Sequence, residues 1–212
     1  MMRFLRRAYF LFRGQSLARI LMNEALAQET LRGRVVDVGG GHHPDYFDFL
    51  KRAGEVRLEA LDASFSGIDF EKDPLPFNDA SVDTVLLCNV LEHLYDYQFL
   101  LRQIRHVLKA DGQLIGFVPF WIGYHPDPHD YFRYTGEALE RILADAGFKS
   151  VRIWSVGSGP VLANFNTLVL SLPRILRPAA YLPYAILDAF FTALSPKSRE
   201  RNPLGFLFTT AP

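Results

Sequence analysis

Val35-Val36-Asp37-Val38-Gly39-Gly40-Gly41-His42-His43-Pro44 decides how this 212-residue chain is read. Val35 and Val36 lead in as β-branched residues, Asp37 interrupts the apolar run, and three glycines end it. A helical pattern follows over Asp45 to Ala53, with Tyr46, Phe47, Phe49 and Leu50 spaced to face a sheet and Gly54 closing it. The spacing predicts a strand that stops at a turn and feeds a helix. Glycine there lets the backbone take positive φ and lets a ligand come close. In open α/β sheets, ligands sit outside the carboxyl ends of the strands at such turns.

The details of the turn narrow the ligand. A dinucleotide fingerprint needs G-x-G-x-x-G, and counting from Gly39 the last position holds Pro44. A phosphate-binding loop needs Gly-Lys-Ser/Thr, which this stretch lacks. The Asp37 carboxylate repels a pyrophosphate and suits a cation. S-adenosylmethionine, with a sulfonium, an ammonium and no phosphate, meets both conditions. The plainer alternative is a structural turn capped by Asp37.

Basic and acidic residues balance at 23 each, so nothing global draws the chain to nucleic acid. Hydrophobic residues make up 49%, enough for one domain with a complete core. Cys88 is the single cysteine, which excludes intramolecular disulfides and thiolate zinc clusters and suits a reducing, cytoplasmic setting. Residues 1–13 are basic and aromatic, but Arg13 closes the apolar run, so a secretory signal is not expected. No stretch reaches the ~18 uncharged apolar residues of a spanning helix. Two readings of this segment stay open: an amphipathic helix covering the sheet or a pocket, or a helix lying on an anionic membrane surface. Helices are predicted over Phe4–Phe12 and Leu17–Leu26, the second capped by Ser16.

A second strand, 56–61, ends at Asp62, about 25 residues after Asp37 and near the spacing of a ribose-binding carboxylate. Alternatively, Asp62 caps the next turn. Pro74 and Pro76 exclude regular helix or central strand just beyond. Strands are expected at 84–89 and 113–118, around a helix that begins at 91–94 and carries Phe99, Leu100, Ile104 and Val107. A strand at 151–156 precedes apolar helical stretches at 161–176 and 181–194, broken at Pro173 and Pro178. A polar loop, 196–203, and a last strand, 206–209, follow.

In order, the chain carries Asp37-Val38-Gly39-Gly40-Gly41, Asp62, Leu75-Pro76-Phe77-Asn78-Asp79-Ala80-Ser81-Val82-Asp83, Val90-Leu91-Glu92-His93 and Val107-Leu108-Lys109-Ala110-Asp111-Gly112. This series resembles the class I S-adenosylmethionine-dependent methyltransferases, in their small-molecule and glycan-pathway branch. The resemblance covers about residues 33–149. It implies an α/β, Rossmann-like, seven-stranded and mostly parallel sheet, with helices on both faces and one reversed strand at an edge. A single domain, 1–212, would comprise N-terminal helices (1–32), a cofactor-binding core (33–160), a helical insert (161–203) and a last strand (204–212). The implied cofactor is S-adenosyl-L-methionine. Asp37, Gly39, Gly40 and Gly41 match positions around its methionine part, Asp62 with Ala63 the ribose, Asp69 and Phe70 the adenine, and Asn89 the sulfonium.

Some relatives carry E-x-x-E-H, with a metal-binding or second acidic group, where this chain reads Asn89-Val90-Leu91-Glu92-His93. The first acid is missing, so no metal is expected. His93 is a candidate general base; alternatively, Glu92 and His93 orient the start of the helix. After the 113–118 strand comes a run rich in aromatic and polar groups, 119–135, closed by Thr135 as a helix cap. It resembles an H-x-x-P-x-D-Y-x-R-x-T loop of the same branch. Tyr124, Asp130, Tyr131 and Arg133 are expected to meet the acceptor, with His125 or His129 removing its proton. The alternative is that Asp130 and Arg133 pair to fix a corner of the fold.

The expected activity is methyl transfer to an oxygen or nitrogen of a small-molecule or glycan-type acceptor. The competing expectation is a non-catalytic cofactor-binding subunit or scaffold. For the helical insert, a homodimer contact, a pocket cover and a peripheral membrane surface remain as alternatives.

Overall fold

The computed structural model of the chain describes residues 2–42 and 44–212. In chain order, α1 (Met2–Phe12) and α2 (Leu17–Leu26) precede β1 (Thr30–Val38), β2 (Lys51–Leu61) and the short α3 (Ala63–Ser66). Next come β3 (Val82–Cys88), α4 (Tyr97–Val107), β4 (Leu108–Pro119), α5 (Gly136–Asp145) and β5 (Lys149–Gly157). Then α6 (Pro160–Val169), α7 (Arg177–Leu194) and the short α8 (Ser198–Arg201) lead into β6 (Pro203–Ala211).

The strands make one six-stranded sheet in the order β2-β1-β3-β4-β6-β5. β2, β1, β3 and β4 pair in parallel, and β6 runs antiparallel to both its neighbours. Side chains alternate between the faces, as the strand period requires. Val35, Leu86, Cys88, Ile115 and Phe117 pack with residues of α1, α2, α6 and α7. Val36, Val38, Val85, Leu87, Leu114 and Val118 pack with α4 and α5 on the other face. Parallel strands need this cover on both sides.

The expected seven strands are six. No strand forms between Asp62 and Val82 among the described residues. Pro74 and Pro76 lie in that segment and cannot donate to a ladder, so β2 is left as the outer strand. The reversed strand is also not at an edge: β6 lies between β4 and β5.

The helix expected over Asp45 to Ala53 is a single 3-10 turn, Phe47–Phe49. Lys51 to Ala53 instead pair with Thr30 to Arg32 as the start of β2, and a register shift there leaves Gly54, at φ +73, in a bulge. Ladder pairing with β1 claims the residues a helix would need. The N-terminal helices cover this face instead: Phe10 of α1 sits 5.9 Å from the Phe49 ring, and Tyr46 and Leu50 are buried in the same cluster as α2.

Several local signals carry through. The Ser16 side chain accepts from Arg19 N–H at the start of α2, and Thr135 accepts from Ala138 N–H at the start of α5. The 91–94 segment is only a 3-10 turn, Leu91–His93, and α4 begins after Asp96, which caps it. Pro178 does not break the insert; it sits in the first turn of α7, where a missing N–H costs nothing. Among the described residues, no helix is long and apolar enough to cross a membrane.

Candidate active site

The crevice opens at the carboxyl ends of β1, β2 and β3. Gly39 follows β1 with φ +76, and its N–H donates to Leu61 O at 2.8 Å, tying the turn to β2. A Cβ on Gly40 would lie 1.9 Å from Asp37 Oδ2 and 2.5 Å from Tyr46 Oη, so only glycine fits. Gly41 N–H donates to Asp62 Oδ2 at 3.0 Å, while Asp62 Oδ1 accepts from Ser64 N–H at 2.9 Å. Asp62 therefore caps α3 and pins the glycine turn with the same carboxylate. Burial works to raise its pKa, but the Ser64 and Gly41 hydrogen bonds outweigh that and hold it below the usual value. After β3, Asn89 takes the left-handed conformation at φ +56, a strained choice that clusters at functional sites.

Two cavities meet along this edge. One, of about 550 Å³, is lined by Gly40, Met22, Phe117, Ile122 and His125, among others. The second, of about 390 Å³, is lined by Asp62, Ala63, Phe70 and Leu94. Gly39, Asn89, His93 and Asp127 line both. An elongated ligand with a nucleoside end suits this pair: Asp62 offers acceptor oxygens at the second cavity, and the glycine turn allows close approach at the junction.

Asp37 lies beneath this surface. It is fully buried and lines neither cavity. Tyr46 Oη donates to its Oδ1 at 2.5 Å, and its Oδ2 has no hydrogen-bond partner. Burial pushes its pKa up to about 7, the Tyr46 bond opposing and the Asp62 charge adding to the rise.

A second buried carboxylate stands on the far side of the junction. Glu92 is inaccessible, and neither of its side-chain oxygens has a hydrogen-bond partner. Burial raises its pKa to about 8. His93 Nε2 lies 3.7 Å and His125 Nε2 3.9 Å from Glu92 Oε1. His93 Nδ1 contacts His129 O at 2.5 Å, and His125 Nδ1 contacts Gly123 O at 3.0 Å. A carbonyl oxygen only accepts, so each Nδ1 is placed to donate there and each Nε2 is turned toward Glu92; Arg133 Nη2 also lies 3.4 Å from His125 Nδ1.

The remaining expected residues divide. Phe70 lines the second cavity, but Asp69 does not; its carboxylate is taken by Lys72 Nζ at 2.7 Å and Glu71 N–H at 3.0 Å. Arg133 and Asp130 form a two-pronged pair, with Arg133 Nη2 to Asp130 Oδ2 at 2.8 Å. The guanidinium holds Asp130 well below the usual carboxylate range. That pair also braces the loop, because Asp130 Oδ2 accepts from His125 N–H at 2.9 Å. Tyr124 is 78% exposed, and Tyr124, His129 and Tyr131 line neither cavity. His129 enters through its backbone carbonyl.

Tyr46, Met22, Asp127 and Glu92 join the site without having been expected there. Tyr46 stood in a presumed helix face, and Met22 comes from α2, whose Ala18 and Arg19 also wall the first cavity. Nothing in local spacing announces either. Glu92 was visible as an acid beside a histidine, but its partner His125 is set by the fold.

A family model described as a methyltransferase domain matches residues 44–116. A protein of Mycobacterium tuberculosis named as a probable S-adenosylmethionine-dependent methyltransferase is 33% identical over 121 residues, covering 54% of this chain and 42% of that protein. The O-methyltransferase cnsE of Penicillium expansum is 27% identical over 172 residues, covering 75% of this chain and 54% of its own length. The chain thus spans about half the length of these curated relatives. The crystal structure of a methyltransferase dependent on the same cofactor, from Archaeoglobus fulgidus, superposes with a TM-score of 0.57 at 18% identity, covering 96% of this chain and 99% of that one. The glycine turn, the acid after the second strand and the penultimate reversed strand thus stand together with matches of sequence and of fold. Residues 44–116 match a methyltransferase-domain family, and the chain is similar to S-adenosylmethionine-dependent methyltransferases in sequence and in fold.

Proposed function

We propose that the chain transfers a methyl group from S-adenosyl-L-methionine to an oxygen or nitrogen of a small-molecule or glycan-type acceptor. The observation that carries the reading is the pair of cavities meeting at Gly39, Asn89 and His93. In this reading the nucleoside lies in the second cavity against Asp62, and the acceptor enters the first. A volume of about 550 Å³ suits a small molecule. The cofactor supplies an electrophilic methyl, which the acceptor displaces in line. The chain's part is to hold the acceptor aligned, and alignment alone is worth several kcal/mol of barrier. His125 and His93, which line the first cavity, are the groups placed to take a proton from the acceptor.

Calorimetry with S-adenosylhomocysteine, followed by radiolabelled methyl transfer to a panel of hydroxylated and amino acceptors, tests this. Micromolar binding and labelling of at least one acceptor class are expected. Binding without any transfer would favour the non-catalytic subunit, and no binding would end the proposal.

The outward face of α7 supports a further element of the reading, contact with an anionic lipid surface. This helix is turned inside out. Its Arg177 and Asp188 are buried, while Ile186, Leu187, Phe190, Phe191 and Leu194 are exposed. Asp188 is consumed by Ser158 Oγ and the N–H groups of Val161 and Leu162 at the start of α6. α1 packs beside it, with Phe4 stacked on Tyr181 at 5.1 Å; its exposed Arg3 and half-exposed Arg6 lie 3.6 and 4.0 Å from Glu24. Apolar and cationic groups side by side match an anionic interface. The protein should sediment with anionic but not neutral vesicles, and Phe190→Glu should reduce the bound fraction at least about tenfold. Self-association without vesicle binding would instead assign this face to a second copy of the chain.

A further inference from the structure

Glu92, His93 and His125 place three ligand-type atoms within 4.8 Å of one another at the boundary of the first cavity. Each of the three atoms can ligate a metal once it carries no proton. Each imidazole turns Nδ1 to a backbone carbonyl, of His129 and Gly123, and Nε2 toward Glu92. Between them lies a carboxylate that is out of solvent and receives no hydrogen bond on either oxygen. A buried carboxyl without a hydrogen bond is unfavourable as an anion unless a proton or a metal cation neutralises it. Arg133 does not fill that role, because its guanidinium is engaged by Asp130.

We propose that Glu92, His93 and His125 bind a divalent transition-metal ion, with a coordination position left open toward the first cavity. Three observations favour a metal. Two imidazoles and one carboxylate are the donor set of catalytic zinc sites, which keep a fourth position for water or substrate. Each imidazole is oriented through its other nitrogen by a carbonyl, and Asp130 Oδ2 stands 3.5 Å from His125 Nδ1, which is how proteins fix the tautomer of metal-binding histidine. The two histidine–carboxylate separations, 3.7 and 3.9 Å, and the histidine–histidine separation, within 4.8 Å, would contract to the ~3.3 Å that zinc–ligand bonds of about 2.0–2.1 Å impose in a tetrahedron. Nitrogen-rich ligation selects zinc or its first-row neighbours over magnesium and calcium.

The missing acid at Asn89, the ground for expecting no metal, is thus replaced by an imidazole from a loop after β4. His93 and His125 line the first cavity, so the open position faces the space given above to the acceptor. There the ion would hold an acceptor oxygen and favour its deprotonated form. That last role rests on the methyl-transfer reading; the ion site itself does not.

The test is equilibrium dialysis of the chelator-treated 212-residue chain against zinc, with cobalt(II) substitution read by its visible absorption. S-adenosylhomocysteine binding is measured on the same samples. About one zinc per chain is expected, with d–d bands of a four- or five-coordinate cobalt site and no competition from excess magnesium. His125→Ala and Glu92→Gln should each weaken zinc at least about tenfold, while the exposed control His106→Ala should not. Zinc uptake that is equal in wild type, His125→Ala and Glu92→Gln, or no uptake, overturns the site and leaves the cluster to a proton. Binding of the nucleoside product without zinc sinks only the metal; zinc without the nucleoside sinks the methyl-transfer reading and leaves the metal site standing.

Discussion

Asp62→Ala should weaken S-adenosylhomocysteine binding by at least about 100-fold while the protein stays folded. One carboxylate performs two tasks at the crevice. It pins the glycine turn through Gly41 N–H and caps α3 through Ser64 N–H and Oγ. Hydrogen bonds to a charged group contribute about 1.5–3 kcal/mol each. Alanine removes both anchors, and Gly39 and Gly41, at φ +76 and +75, regain the freedom that glycine has when unrestrained. It also removes the acceptor oxygens offered to a ribose. Asp62→Asn keeps one acceptor oxygen and should lose only about tenfold. Because the pKa of Asp62 is depressed, its contribution is present above the unfolded carboxylate value and is lost only as pH falls through the folded one. Titration of Asp62 itself should therefore add no slope to the deficit between about pH 6 and 9; Asp37, at about 7 beneath the turn and raised in part by the Asp62 charge, supplies the pH dependence that remains. Calorimetry beside circular dichroism reads all of this, and an affinity within about threefold of wild type in the alanine variant would refute it.

The strand-to-turn unit around Gly39 and the caps at Ser16 and Thr135 could be read from sequence because each depends on neighbours a few residues away. The same holds for the insert, whose apolar pattern is continuous. The losses share a physical cause, which is competition settled at long range. Asp45 to Ala53 has helical periodicity, but its second half is worth more as ladder to β1. The segment with Pro74 and Pro76 was correctly denied regular structure, yet the implied strand count was still carried over from the family pattern. Asp37 sits at the turn as its place in the sequence implies, but its carboxylate faces no cavity, because Tyr46 and Gly40 close over it. The Glu92, His93 and His125 cluster joins the end of β3 to a loop after β4, and no local pattern encodes that.

Asp37→Asn should stabilise the protein without its cofactor, and do so in a pH-dependent way. Burial raises the Asp37 carboxyl from the ordinary 3.8 to about 7, so the native state prefers the neutral form. For a group whose folded pKa is raised, the stabilising contribution is complete below the unfolded value and is lost as pH rises toward the folded one. Ionised Asp37 thus costs about 4 kcal/mol at most above pH 7, and about 1–2 kcal/mol at pH 5. Asparagine is neutral throughout and can still accept from Tyr46 Oη. Its amide meets no ready partner where Oδ2 now lies unsatisfied, which subtracts a constant amount. The slope is therefore the readout. The melting temperature of the variant relative to wild type should rise by on the order of 5 °C or more between pH 5 and pH 8, then level off. Cofactor affinity should move the other way if the negative charge under the turn helps hold a sulfonium. A difference in melting temperature that does not change with pH would mean that Asp37 is ionised throughout. Its closed environment beneath Gly40 would then have to admit a counter-charge.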